Sequence, residues 1–293
     1  MSFLNFLIDG INLGSIYAII ALGYTMVYGI ARMLNFAHGD IIMVGGYISW
    51  MAFVTAGLPW PVAILVAVVG CTVLGMTIEL VAYRPLRNAT SRLAVLITAI
   101  GISFLLQNLA LLIFGANITI YPTMIQLPNL VVTEGLMISG LTMVTIGTCL
   151  VIMVALTLFV HKTKPGQAML AVSEDKGAAQ LMGISINGTI ALTFAIGSGL
   201  AAIASFLLLS GIPSLEPMTG AMPGIRAFVA AVFGGIGSIP GALLGGLILG
   251  VVQILATAYI SSQLADAIVF GVLIVVLLVK PTGLLGKKIQ EKV

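Results

Sequence analysis

Apolar residues run along this chain in long blocks, and the charges fall between the blocks. Positions 10–31, 41–78, 93–133, 135–161, 177–215 and 227–265 contain no Asp, Glu, Lys or Arg. A transmembrane helix needs about 20 mostly apolar residues to cross a hydrocarbon core of about 30 Å. The longer blocks therefore hold two crossings, or one crossing and a polar loop. A closed β-barrel would instead show short alternating segments with polar lumen positions, and these blocks are continuous. The pattern predicts an all-α, polytopic integral membrane protein. It has eight or nine transmembrane helices, at least one of them short or broken.

The predicted spans are 12–30, 36–56, 61–81, 93–114, 141–161 and 189–209, with three more between 227 and 279. Three crossings in that last segment leave each near the lower length limit. The short one is placed at Ala227–Ile239, leading into Pro240-Gly241, because proline removes a backbone donor and glycine loosens a helix. The connection 115–140, with Pro122, Pro128 and Thr133-Glu134-Gly135, reads as an ordered external loop with a short hairpin.

Charge placement sets the topology. Ten of the twelve basic residues fall in three clusters: Arg84, Arg87 and Arg92; Lys162, Lys164 and Lys176; Lys280, Lys287, Lys288 and Lys292. Basic residues near span ends favour the cytoplasmic side. All three clusters are placed inside, which puts the N-terminus outside and the C-terminus inside. No charged n-region precedes the first span, so no cleavable signal is expected.

Composition narrows the class. Of 293 residues, 7% are charged and 60% hydrophobic, and mean hydropathy is +1.21. Too little charge is present to cover a soluble body of this size, which argues against a soluble enzyme, a disulfide scaffold and a nucleic-acid binder. Cys71 and Cys149 each fall inside a predicted span and read as packing residues. His38 and His161 make no zinc-ligand spacing. No nucleophile elbow and no phosphate-cradling lysine loop occurs. Asn-x-Ser/Thr triplets at Asn88, Asn117 and Asn187 are explained by chance, since two of them fall on the cytoplasmic side.

Several polar positions interrupt the apolar blocks. Leu34–Asp40 reads LNFAHGD. Asn35, His38 and Asp40 there mark either a polar break at a translocation path or a helix start satisfied by Asn35 or Asp40. Gln107 and Asn108 lie inside a span and either bridge helices or meet substrate. Glu216 and Arg226 flank the Pro- and Gly-rich external loop 211–224. Glu79 is expected to pair with an arginine of the following loop. Gly237, Gly241, Gly245, Gly246 and Gly250 recur at a spacing that lets helices approach closely.

The inside loop Lys164–Asn187 is the one with mixed charge. Glu174 and Asp175 suit the start of a short helix, and Gly183 suits its end. Ala178 and Ala179 make that helix small enough to lie in a groove on another protein.

These residues carry a resemblance. Ala178-Ala179-x-x-x-Gly183 is similar to the E-A-A-x-x-x-G coupling motif of ABC importer permeases, with Gly177 where the motif has its acid. Together with LNFAHGD and GGIGSIPGALLGG, in order from about Asn12 to Leu285, it resembles the branched-chain amino acid permeases, and specifically the smaller of their two permease subunits. The resemblance implies one permease domain over 1–293 in the bacterial inner membrane, with a coupling loop at 162–188. It implies half of a path for leucine, isoleucine and valine. The expected partners are a second related permease, two ATPase subunits, an extracytoplasmic binding protein and membrane lipid, with no nucleic acid. Glu174, Asp175, Ala178, Ala179 and Gly183 would form the coupling helix. No cofactor is expected on this chain, ATP and Mg residing on the ATPases, and the chain is not expected to be an enzyme. The alternatives are a gradient-driven transporter or channel, which would carry several ionisable groups inside spans, and an ABC permease for urea, amides or other amino acids.

Overall fold

The computed structural model describes residues 2–87, 92–125, 127–133 and 136–286. Lys287, Lys288, Lys292, Asn88 and the Glu134-Gly135 turn lie outside those residues. The helices are α1 (Ser2–Ala31), α2 (His38–Trp50), α3 (Trp60–Ile78), α4 (Arg92–Phe114), α5 (Gly140–Lys162), α6 (Lys164–Glu174), α7 (Lys176–Leu181), α8 (Ile186–Gly211), α9 (Ala221–Gly234), α10 (Ile239–Tyr259) and α11 (Ala265–Val279). Wider π-helical turns continue α2 through Met51–Thr55 and α3 through Glu79–Tyr83. Short strands β1 (Thr119–Ile120), β2 (Leu130–Thr133), β3 (Leu136–Ile138) and β4 (Ser214–Leu215) stand outside the bundle. β2 and β3 form the antiparallel hairpin expected in the external loop.

Among the described residues six helices are long and apolar enough to cross a membrane: α1, α3 with its continuation, α4, α5, α8 and α10. α9 and α11 are shorter apolar helices. The fold is all-α and polytopic, as the apolar blocks require. α8 is mostly buried and forms the hub, whereas α4 presents most of its surface outward. Apolar residues cannot gain from leaving water inside a bilayer, so close packing must hold the helices together. α1 and α10 run antiparallel through glycine contacts. A Cβ on Gly246 would stand 2.5 Å from the Ala18 nitrogen, and one on Gly10 would stand 2.7 Å from Val251 Cα. Gly250 meets Gly14 in the same seam.

The described basic residues of the three clusters collect at one end. Arg87 donates to Asn187 there, and Lys176 donates to the Ala31 carbonyl at 3.3 Å. Arg87 also pairs with Glu79, the partner expected in the loop after the third span.

The short helix differs from its expected position. It is α9, Ala221–Gly234, and Pro240 breaks nothing. Pro240 occupies the first turn of α10, where a missing N–H costs no helical bond. Ser238 caps that helix by accepting from the Gly241 amide at 3.2 Å. Gly235 and Gly237 make the break, with φ of 105° and 94°. The segment 211–224 is not wholly external either. β4 pairs with β1 outside, and the chain then turns inward, so that α9 starts within the bundle.

Candidate functional site

The first transmembrane helix ends at Ala31, and Arg32 takes a left-handed backbone with φ of 59°. Residues 32–37 then run without helical structure back into the bundle. His38 packs against Gly23 and lies edge-on to Tyr24 with ring centroids 4.6 Å apart. Gly23 is about two turns before the end of α1, so α2 begins about 12 Å inside the cytoplasmic end.

α9 begins at the same level. A Cβ on Gly39 would stand 2.7 Å from the Gly220 carbonyl oxygen, and one on Gly224 would stand 2.7 Å from Gly39 Cα. Glycine is required on both sides of this contact. From here α2 runs outward, where Tyr47 stacks on Phe114 and Ser49 shares a 2.8 Å hydrogen bond with Tyr121. Burial pushes the Tyr121 hydroxyl up to about 12, against that bond to Ser49. α9 runs inward, where its Phe233 and Gly234 carbonyls accept from the Leu284 and Leu285 amides. The helices α2 and α9 thus meet at their N-termini inside the protein, each with the positive end of its dipole at the junction.

A cavity of about 570 Å³ opens beside this junction. Tyr24, Asp40, Ser103 and Gln107 are its polar lining, and Phe36, Phe104, Phe228 and Phe270 are among its apolar walls. Gln107 donates to Asp40 at 2.8 Å and also reaches Ser103 at 3.3 Å. Asp40 is 2% exposed.

The structure brings some predicted positions together and separates others. Asp40 and Gln107 share the cavity. Asn108 points elsewhere and donates to the Phe104 carbonyl of its own helix. Asn35 and Asp40 do not cap α2, whose cap Ala37 supplies no side-chain bond. Asn35 instead accepts from the Tyr83 hydroxyl at 3.0 Å, and its Nδ2 has no partner among the described residues. His38 Nε2 likewise has none. Glu216 is exposed on the external side, its amide donating to Thr219.

Arg226 lies on α9 rather than at a loop edge. It donates twice to Asp266 of α11, each bond 2.8 Å, and once to Tyr17 at 3.3 Å. Tyr17 donates in turn to Gln253 at 2.8 Å. This chain ties α9, α11, α1 and α10 together. Reading the sequence missed Tyr17, Gln253, Asp266, Tyr24 and Ser103. Asp266 did leave a signal, as the acid that closes the last uncharged block.

At the cytoplasmic end, α6 and α7 make a bent pair. Asp175 caps α7, accepting from the Ala178 amide at 3.0 Å, and Gly183 ends it with φ of 81°. Glu174 and Ala178 are exposed, and Ala179 is buried against the rest of the chain. Only one of the two alanines therefore faces outward. Beyond them Leu181 and Met182 are 90% and 81% exposed. Lys176 is held below the usual lysine range by burial first, then by the guanidinium groups of Arg87 and Arg32.

Among the predicted glycines, Gly241 packs on Gly234, Gly245 on Ala230, Gly246 on Ala18 and Gly250 on Gly14, while Gly237 faces Gly29. Cys71 and Cys149 are buried and free.

The family model described as "Branched-chain amino acid transport system / permease component" matches residues 6–278. The chain belongs to that family. The permease is 45% identical to the high-affinity branched-chain amino acid transport system permease protein LivH of Escherichia coli K12, over 99% of this chain and 98% of that one. It is 43% identical to BraD of Pseudomonas aeruginosa over the same shares. A more distant relative is the autoinducer 2 import system permease protein LsrD of Salmonella paratyphi B, 29% identical over 93% of this chain and 82% of that one. Family membership and six membrane-crossing helices make the permease a multi-pass inner-membrane protein.

Proposed function

We propose that this permease is a transport subunit of a binding-protein-dependent ABC importer and forms half of the path for leucine, isoleucine and valine. The full-length 45% identity to a protein named for high-affinity branched-chain amino acid transport carries this reading. Residues 1–293 act as one permease domain. Its partners are a second related permease, two ATPase subunits and an extracytoplasmic binding protein. ATP and Mg belong to the ATPases, and the chain itself carries out no chemistry.

The loop 162–188 is the coupling element. Glu174, Asp175, Ala178, Ala179 and Gly183 shape its short helix. Leu181 and Met182 supply the apolar contact, because large apolar side chains this exposed on the cytoplasmic side need a protein to cover them. The external elements, 115–140 with Glu216, face the binding protein. Asp40 and Gln107 line the path, with Asn35 and His38 beneath them. Arg226 fixes the wall of the path through Asp266.

The test is ATP-dependent uptake into proteoliposomes that hold all of these partners, comparing leucine, urea and a cationic amino acid. Leucine uptake that needs both ATP and binding protein supports the reading. Uptake driven by an ion gradient without ATP overturns it. A second reading, an importer for a different small polar solute, is favoured by the likeness to a permease named for autoinducer 2 import. Preference for urea or another solute in the same assay selects it.

A further inference from the structure

Asp40 is a carboxylate buried about midway through the bundle, and among the described residues its charge has no cation beside it. Among the described residues the ion pairs are Arg87 with Glu79 and Arg226 with Asp266. Asp40 has neutral donors, the Gln107 amide at 2.8 Å and the Ser103 hydroxyl. A charge placed so deep in a membrane protein is costly and usually marks a pathway. The cavity it lines is otherwise mostly apolar and aromatic, wide enough at about 570 Å³ for a small solute. Ala221, the first residue of α9, lines the same cavity, with its amide donated to the Met218 carbonyl at 3.0 Å.

We propose that Asp40 receives the α-ammonium of the transported amino acid in this cavity. The cation that Asp40 lacks is then brought by the substrate. The apolar side chain lies along Phe104, Phe228 and Phe270. An ammonium so placed is neutralised while between compartments, which lowers the cost of carrying it through a low-dielectric interior. Gln107 is a positioning residue that holds the carboxylate toward the cavity. The assignment rests on reading the chain as an amino acid permease.

The experiment uses the whole transporter complex in lipid nanodiscs, with Ser103→Cys as a reporter in the cavity. Maleimide labelling of Cys at 103 is followed with leucine, or with 4-methylpentanoate, which has the same carbon skeleton without the amine. Leucine is expected to protect the reporter and 4-methylpentanoate is not. Asp40→Asn, which keeps the shape and can still accept from Gln107, is expected to weaken protection by leucine by about tenfold or more, the size of one charge-assisted hydrogen bond. Asp40→Glu is expected to recover part of it. Equal protection by the two compounds, or protection unchanged in Asp40→Asn, overturns the assignment. Lost uptake with full protection in Asp40→Asn overturns it too. Failure of the unaltered complex to take up leucine would instead remove the transport reading, so the two failures are told apart.

Discussion

The guanidinium of Arg32 donates to the carbonyl oxygen of Ser173 at 3.0 Å, across 141 positions of sequence. Lys176 returns the connection by donating to the Ala31 carbonyl. The α6–α7 pair is thereby fastened to the segment where the chain turns back toward Asp40. On the proposed coupling role, a displacement of α7 by a partner would be passed to residues 32–37 through these two bonds.

Arg32 is the described non-glycine residue with positive φ, a conformation that costs about 1 kcal/mol or more. Arg32→Gly removes both the bond and the strain, whereas Arg32→Ala removes the bond alone. Both variants are expected to hydrolyse ATP with less uptake per ATP. Thermal unfolding in detergent is expected to rank Arg32→Gly above Arg32→Ala by about 1 kcal/mol.

Leu181 and Met182 are expected to be anchors for the ATPase. Replacing both with Asp should weaken co-purification of the ATPase by roughly thirtyfold, as for loss of an anchor worth about 2 kcal/mol. The α1–α10 seam does not contact that surface, so the melting temperature of the permease alone should hold. Ala179→Arg would give an ambiguous result, because Ala179 is buried within this chain.

The bidentate pair of Arg226 and Asp266 is half-buried, its side chains 23% and 32% exposed. Asp266→Asn should destabilise by about 1–2 kcal/mol, between the values for exposed and enclosed pairs. The exchange Arg226→Asp with Asp266→Arg should recover part of that loss, read as melting temperature and as leucine uptake. No recovery would mean that Tyr17, rather than Asp266, is what Arg226 serves.

Gly250→Leu drives a side chain into Gly14 and should cost about 1–3 kcal/mol by overpacking. Gly271→Ala is its control, since nothing lies within 4 Å of a Cβ there. A similar melting temperature for both would show that the α1–α10 seam is loose.

Most spans were legible because an apolar run long enough to cross has few other uses. The α7 helix was legible too, since Asp175 and Gly183 carry local start and stop signals. The start of α9 was not. It is fixed by Gly220 and Gly224 meeting Gly39, a contact between distant segments. LNFAHGD announced a break by its polarity, but a polar residue near a helix start reads as a cap. Only the neighbours Tyr83 and Gln107 show that Asn35 and Asp40 are committed elsewhere. The outward face of a six-residue helix is likewise undecided by its sequence, which is why Ala178 and Ala179 could not be told apart.

The contact between Gly39 and Gly220 joins α2 to α9 through main chain alone. Side chains can swing between staggered rotamers in place, and a contact built from them can loosen one residue at a time. A contact of two glycine backbones has no such freedom. It parts only when whole segments separate as rigid bodies, a motion with the scale of a helix displacement rather than a rotamer change.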